Sequence, residues 1–301
     1  MIFLTFSVGS LVLSGAANLL SKSARQIHLF DQVKSLGLAD FSKDSLDKVN
    51  EIIEEYVRTN IGFGWWAWKP LLVEHELNKL KDGQMLLYLD AGCLFASDII
   101  IKNAINFVES TKIEFDIIVQ HADGYGVRKY GAEEFNWTKP ETLKLLNDSN
   151  HAETPQWAAS WMLIKKNSRT TKLTQEWRKV SFKDKFRFIN LSLLDPSQPS
   201  QLIRHQHDQS ILSICIKNSP NLLVDTPGIE ILRQKLAGAI VVSRNRSPFK
   251  SVDRPKLDLL VQRFFYSLYL FETKMRRFRV YRKVNASYYR IRLCLSNRIS
   301  V

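Results

Sequence analysis

The sequence predicts an α/β fold, a mostly parallel central sheet with helices on both faces, followed by a basic helical tail. Short apolar runs alternate with stretches of helical period as far as about residue 250. Several of these runs are apolar at nearly every position, as strands covered on both faces are. The clearest, "QMLLYLDAG" (84–92), ends in a charge and a glycine, where a buried strand leaves the sheet.

In chain order, "IFLTF" (2–6) reads as a first buried strand. A Gly-Ser turn and a helix continuing through "NLLSKSARQIHLFDQVKSLG" (18–37) follow it. A secretion signal or anchor is the competing reading of the first twenty residues. It lacks a positive n-region, and Thr5, Ser7, Gly9, Ser10, Ser14, Gly15 and Asn18 interrupt its apolar run. "SLDKVNEIIEEYV" (45–57) places Leu46, Val49, Ile52, Ile53 and Tyr56 on one helical face. "PLLVEHELNKLKDG" (70–83) is a helix with Pro70 in its first turn and Asp82-Gly83 closing it. Ser97 caps the helix "DIIIKNAINFVEST". Strands are expected at "FDIIVQH" (115–121), "WAASWMLIK" (157–165), "NLLVD" (221–225) and "AIVVS" (239–243). Helices are expected at "KPETLKLL" (139–146), "SRTTKLTQEWRKV" (168–180) and "DQSILSICIKN" (208–218). Past residue 250 the pattern becomes one long helix-prone run, which divides the chain into a domain over 1–250 and a tail over 251–301.

The chain has 301 residues, with 45% hydrophobic and 24% charged, the balance of a folded globular protein. Cys93, Cys215 and Cys294 are too few and too far apart for a disulfide framework or a zinc knuckle, so a reducing, cytoplasmic setting is expected. The net charge of +13 is uneven: residues 271–301 hold nine Lys or Arg against Glu272 alone, a net +8 that leaves +5 for the rest. A body so mildly basic is not expected to bind nucleic acid.

Two places invite a chemical reading. Asp90 ends its strand before Ala91-Gly92, at the edge where α/β folds bind ligands; "HADGYG" (121–126) follows the next strand in the same way. Asp90 either caps the loop after it or ligates a hard cation that bridges phosphate oxygens. In "GFGWWAWKP" (62–70), Trp65, Trp66 and Trp68 crowd into four positions. Tryptophan needs a shaped cavity and a partner for its N–H, so the run is a packed corner or the wall of a site. "RHQH" (204–207) has two histidines but no further ligands at zinc spacing. Gly-x-Ser-x-Gly, Walker and Rossmann fingerprints are absent, which excludes those hydrolase, P-loop and nicotinamide classes.

"GFGWWAWKP", then "DGQMLLYLDAGC" (82–93), then "FNWTKPETLKLL" (135–146) and "HQHDQSILSI" (205–214) together resemble a group of bacterial and viral nucleotide-sugar glycosyltransferases with the GT-A-type nucleotide-diphospho-sugar transferase fold. The resemblance spans about residues 60–215, with weaker agreement at the first strand, and lies in the order and spacing of the motifs. It implies a hexosyltransferase of polysaccharide biosynthesis that takes a nucleotide-sugar, UDP-sugar first, to a polysaccharide or lipid-linked acceptor. It implies Asp208 and Gln209 as catalytic residues at the transferred sugar, and Thr5, Trp66, Trp68, Lys69, Asp90 and Gly92 as donor-binding residues. Asp90, helped by His207 or Asp208, would hold a divalent cation, Mn²⁺ or Mg²⁺, or it would contact the sugar or ribose directly in an enzyme that works without tight metal binding. GT-A enzymes carry a strand-end Asp-x-Asp there; here Ala91 and Gly92 follow Asp90, and the second carboxylate is missing. "HDQSIL" departs too, with Ser210 where the related Asp-Gln-Asp segment has its last acid. The alternative is a non-catalytic relative that binds nucleotide or glycan alone. Lys69 is read either as a cation at the departing phosphate or as a solvated lysine at a helix start. The basic tail is read as a peripheral helix on an anionic membrane, on the inner face, as a nucleic-acid contact, or as a helix packed back on the body.

Overall fold

A computed structural model describes residues 1–9, 11–41, 45–59, 61–122, 131–190 and 202–242, together with 271, 275, 280, 282–288 and 290. The elements run β1 (Ile2–Phe6), α1 (Leu11–Ile27), β2 (Gln32–Leu36), α2 (Leu46–Thr59), a short turn α3 (Gly62–Trp65), α4 (Trp68–Asn78), β3 (Met85–Asp90) and β4 (Cys93–Phe95). Then follow α5 (Asp98–Ser110), β5 (Ile117–His121), the single turns α6 (Glu134–Trp137) and α7 (Pro140–Leu143), β6 (Trp157–Lys165), α8 (Ser168–Phe182), α9 (Asp208–Lys217), α10 (Pro227–Ala239) and β7 (Ile240–Val242). The architecture is α/β, with the mostly parallel sheet flanked by helices that the alternation predicted. The chain falls into two compact units, residues 1–64, 85–113 and 227–301 in the first, 65–84 and 114–226 in the second.

In the first unit β1 lies between β2 and β3, parallel to both. All five residues of β1 are buried, so the amino-terminal run is a core strand. The helix expected to continue to residue 37 stops at Ile27. His28 takes a φ of 57°, its N–H returns to the Arg25 carbonyl, and 32–36 form β2 instead. Helical propensity loses here to pairing with β1, a partner that a local window does not contain. β4 and β7 form a separate antiparallel pair. α5 starts at Ser97, whose hydroxyl accepts the Ile100 N–H, as expected. It buries Ile101, Ala104, Ile105 and Val108, and α10, a helix that the local pattern did not announce, packs on it. Of the tail, residues 280, 282–288 and 290 are helical. Ala286 is buried, and Asn285 Nδ2 donates to the Tyr56 hydroxyl of α2 at 3.3 Å. The boundary at residue 250, and "HADGYG" beyond Ala122, lie outside the described residues.

In the second unit β5 and β6 pair antiparallel, where the parallel rule ends. α9 packs on β6 and on α8, and α4 packs on α8. The expected strand at 221–225 does not form. Leu223 is tethered instead to Asp116: its carbonyl accepts the Asp116 N–H at 2.9 Å, and its N–H donates to the Asp116 carboxylate at 2.9 Å. "KPETLKLL" forms one helical turn, α7, in place of a full helix. Glu134, fully buried, collects Lys217 Nζ at 2.7 Å and the hydroxyls of Thr138 and Ser213 at 2.5 and 2.6 Å. These contacts fix α6 against α9 and meet the demand of a buried charge for a partner.

Candidate functional site

The tryptophan run begins on a stretch of left-handed backbone. Gly62, Phe63, Gly64, Trp65 and Trp66 have φ of 54°, 49°, 79°, 60° and 60°. Left-handed geometry costs a non-glycine residue about 1–2 kcal/mol, so Phe63, Trp65 and Trp66 need compensation. Phe63 stacks on Tyr56, ring centroids 4.3 Å apart. The rings of Trp65 and Trp66 lie 5.1 and 5.3 Å from that of His207. His207 is itself left-handed, at φ 54°. Such strain gathers where a side chain must be held in one direction. Trp65 and Trp68 are buried, while Trp66 is half-buried and presents a partly open face. The run is thus both core corner and wall.

Lys69 is no solvated lysine. Its ammonium lies 2.8 Å from Asp208 Oδ2, with side-chain exposures of 4% and 8%, and it donates to the Ala159 carbonyl at 3.2 Å. Two motifs far apart in sequence therefore meet as a buried ion pair. Asp208 opens α9, where the helix field favours an anion, and its carbonyl accepts Trp177 Nε1 at 3.0 Å. Gln209 is clipped at both ends of its amide: Oε1 accepts the Ala159 N–H at 3.3 Å, and Nε2 donates to Gln156 Oε1 at 2.5 Å. Ala159 of β6 thus touches Lys69 through its carbonyl and Gln209 through its N–H. Ser210 Oγ donates to the Trp137 carbonyl at 2.9 Å and accepts the Gln206 N–H.

The two histidines have defined tautomers. His205, fully buried and not an open loop residue, accepts the Lys139 N–H on Nδ1, so Nε2 carries its proton toward the Phe188 carbonyl at 3.0 Å. His207 Nδ1 faces the Ile189 carbonyl at 2.9 Å, which only a protonated Nδ1 can satisfy, so Nε2 bears the lone pair. Burial pushes His207 down to about 4, with Arg204 and Lys139 nearby adding to the effect. Burial, then His207 and Lys139, pushes His205 well below the ordinary range. Both rings are neutral at pH 7.

Asp90, in the first unit, is half-buried at the end of β3, and Tyr88 donates its hydroxyl to Asp90 Oδ1 at 2.7 Å. Tyr88 and Asp90 stand two apart on a strand and so share a face. That spacing is legible in the sequence as Tyr-x-Asp, though no motif drew attention to the tyrosine. Thr5 of β1 is fully buried, level with Leu89, its hydroxyl without a hydrogen-bond partner. Gly92 is half-buried between Asp90 and β4. Gln156, Ala159 and the Ile189 carbonyl are further elements that no motif announced.

Among the described residues no group of three or more His, Cys, Asp or Glu is placed to hold a metal ion. A hard cation takes six or more oxygens. Among the described residues, one strand-end carboxylate engaged by a tyrosine supplies only part of that set; the remainder would come from donor phosphates and water.

No known family and no curated protein matches this chain. Among solved structures, a glycosyltransferase involved in the glycosylation of the major capsid of PBCV-1 is similar over 77% of this chain and 96% of its own, at 8% identity and a TM-score of 0.33.

Proposed function

We propose that the chain is a glycosyltransferase that moves a hexosyl group from a nucleotide-diphospho-sugar, UDP-sugar first, to a polysaccharide or lipid-linked glycan. The observation that carries the reading is the buried contact between Lys69 and Asp208 at the start of α9. It joins the two motifs that the resemblance singled out separately. In transfer, an acceptor hydroxyl oxygen bonds to the anomeric carbon and gives up its proton to the departing diphosphate or to water, the bond from that carbon to the diphosphate oxygen breaks, and the nucleoside diphosphate leaves with the electron pair. Positive charge grows on the sugar ring meanwhile, and a carboxylate and an amide oxygen already fixed in direction stabilise it without reorganising. Lys69 fixes the direction of Asp208; Gln156 and Ala159 fix that of Gln209. Trp66 offers a flat face to a base or to the C–H face of a sugar. Asp90, oriented by Tyr88, works at the diphosphate end.

The test is release of nucleoside diphosphate from a panel of nucleotide-sugars, each with and without Mn²⁺. We expect release with at least one donor, and a fall of at least about 100-fold in Asp90→Asn and in Gln209→Ala. Both substitutions keep the side-chain volume or reduce it at half-buried positions, so circular dichroism is expected to be unchanged. Donor binding without release assigns the chain to the non-catalytic alternative. Near-normal turnover by either variant removes that residue from the site.

A further inference from the structure

The carboxy-terminal helix has one face docked and one face exposed. Ala286 is buried, Asn285 bonds Tyr56, and Arg290 lies 3.6 Å from Glu54, so this side lies against α2. Val280, Val284 and Tyr288 stand four residues apart and therefore in one row. They are 73%, 64% and 54% exposed. Position 284 is about 200° round the helix from 286, so the row lies opposite the docked face. Exposed Lys283 adjoins it, and residues 271–301 carry nine Lys or Arg against one Glu.

We propose that this row inserts into the surface of an anionic lipid bilayer, with the helix lying in the plane of the membrane. Two exposed valines in line with a tyrosine gain nothing from a phosphodiester backbone, but they gain on leaving water for the acyl boundary. The net positive charge of residues 271–301 draws the segment to anionic head groups, with Lys283 beside the row. The same charge opposes a second copy of the chain, since two tails of net +8 would meet. Among the described residues no helix is long and apolar enough to cross a membrane. The inference rests on this helix alone and is independent of the sugar-transfer reading.

The experiment is co-sedimentation of the full chain with phosphatidylcholine vesicles containing about 30% phosphatidylglycerol. Phosphatidylcholine vesicles and a short duplex DNA serve as the other arms. The decisive variant is Val280→Lys/Val284→Lys, which adds charge while removing the apolar row. Insertion predicts partition into anionic vesicles at least roughly tenfold weaker than for the unaltered chain, despite two more positive charges. Attraction by charge alone predicts tighter binding, which overturns the proposal. So does duplex binding stronger than vesicle binding and indifferent to the substitutions, or a change from dimer to monomer in the variant with vesicle binding intact. Val280→Ser/Val284→Ser, neutral and smaller, repeats the comparison without added charge, and an unchanged melting temperature for either variant shows that the fold persists.

Discussion

At the scale of the residue, the Lys69–Asp208 pair decides how the site is to be perturbed. Removing one partner of a buried ion pair leaves an uncompensated charge and costs about 3–5 kcal/mol. Asp208→Ala is therefore expected to weaken the fold as well as activity, since Lys69 would stay buried without its counter-ion. Lys69→Met is expected to lower stability by about the same amount, and Lys69→Met/Asp208→Leu to recover much of the loss; urea denaturation of the three variants measures this. The neutral histidines add a pH dependence. A histidine held at about 4 in the fold and near 6.5 when unfolded binds its proton more readily in the unfolded chain. Stability is then full above about pH 6.5, falls as the pH drops toward 4, and levels off below it, a loss on the order of 3 kcal/mol for His207. His207→Gln should flatten this part of the profile, read as urea midpoints between pH 7 and pH 4.

At the scale of the element, the left-handed run 62–66 works because glycines flank its aromatic residues and neighbouring rings hold them. A Cβ on Gly64 would come within 2.6 Å of the Ile52 carbonyl oxygen, backbone that cannot yield easily. Gly83 has a similar φ, +84°, but open space around it. Gly83→Ala is accordingly expected to cost about 1–2 kcal/mol, the backbone preference alone. Gly64→Ala should cost clearly more, because it also displaces α2 at the point where Phe63 stacks on Tyr56. Denaturant midpoints of the two alanine variants test the ordering. Equal losses would mean that the contact with Ile52 relaxes freely.

At the scale of the whole molecule, each compact unit is assembled from segments far apart in the chain. The first unit depends on α10 and β7, which cover the inner face of α5 and pair with β4. A chain truncated after Thr226 would lose α10 from α5, a helix that buries Ile101, Ala104, Ile105 and Val108, and leave β4 without its strand partner. Expression of that truncated chain is expected to give aggregated protein without a cooperative melting transition. Exposed apolar surface and an open strand edge together favour association.

The central strands, the caps and the long amphipathic helices were legible because their signals are local. An apolar run, a Ser-x-x hydroxyl and a 3.6-residue period each act within a few positions, and β1, β3, β6, α5 and α8 follow them. The residue types of the candidate site were legible also, through the motifs around Lys69, Asp90 and Asp208. Tertiary structure decided what depends on partners distant in sequence. β2 replaced a helix because β1 was there to pair with it; 221–225, held to Asp116 through Leu223, formed no strand. Lys69, which the sequence left as either a phosphate-binding cation or a solvated lysine, is half of a buried pair because α9 brought Asp208 to it. Local propensity separates alternatives by only tenths of a kcal/mol per residue, whereas pairing a buried charge or completing a sheet edge is worth several, so the distant partner prevails over the local preference.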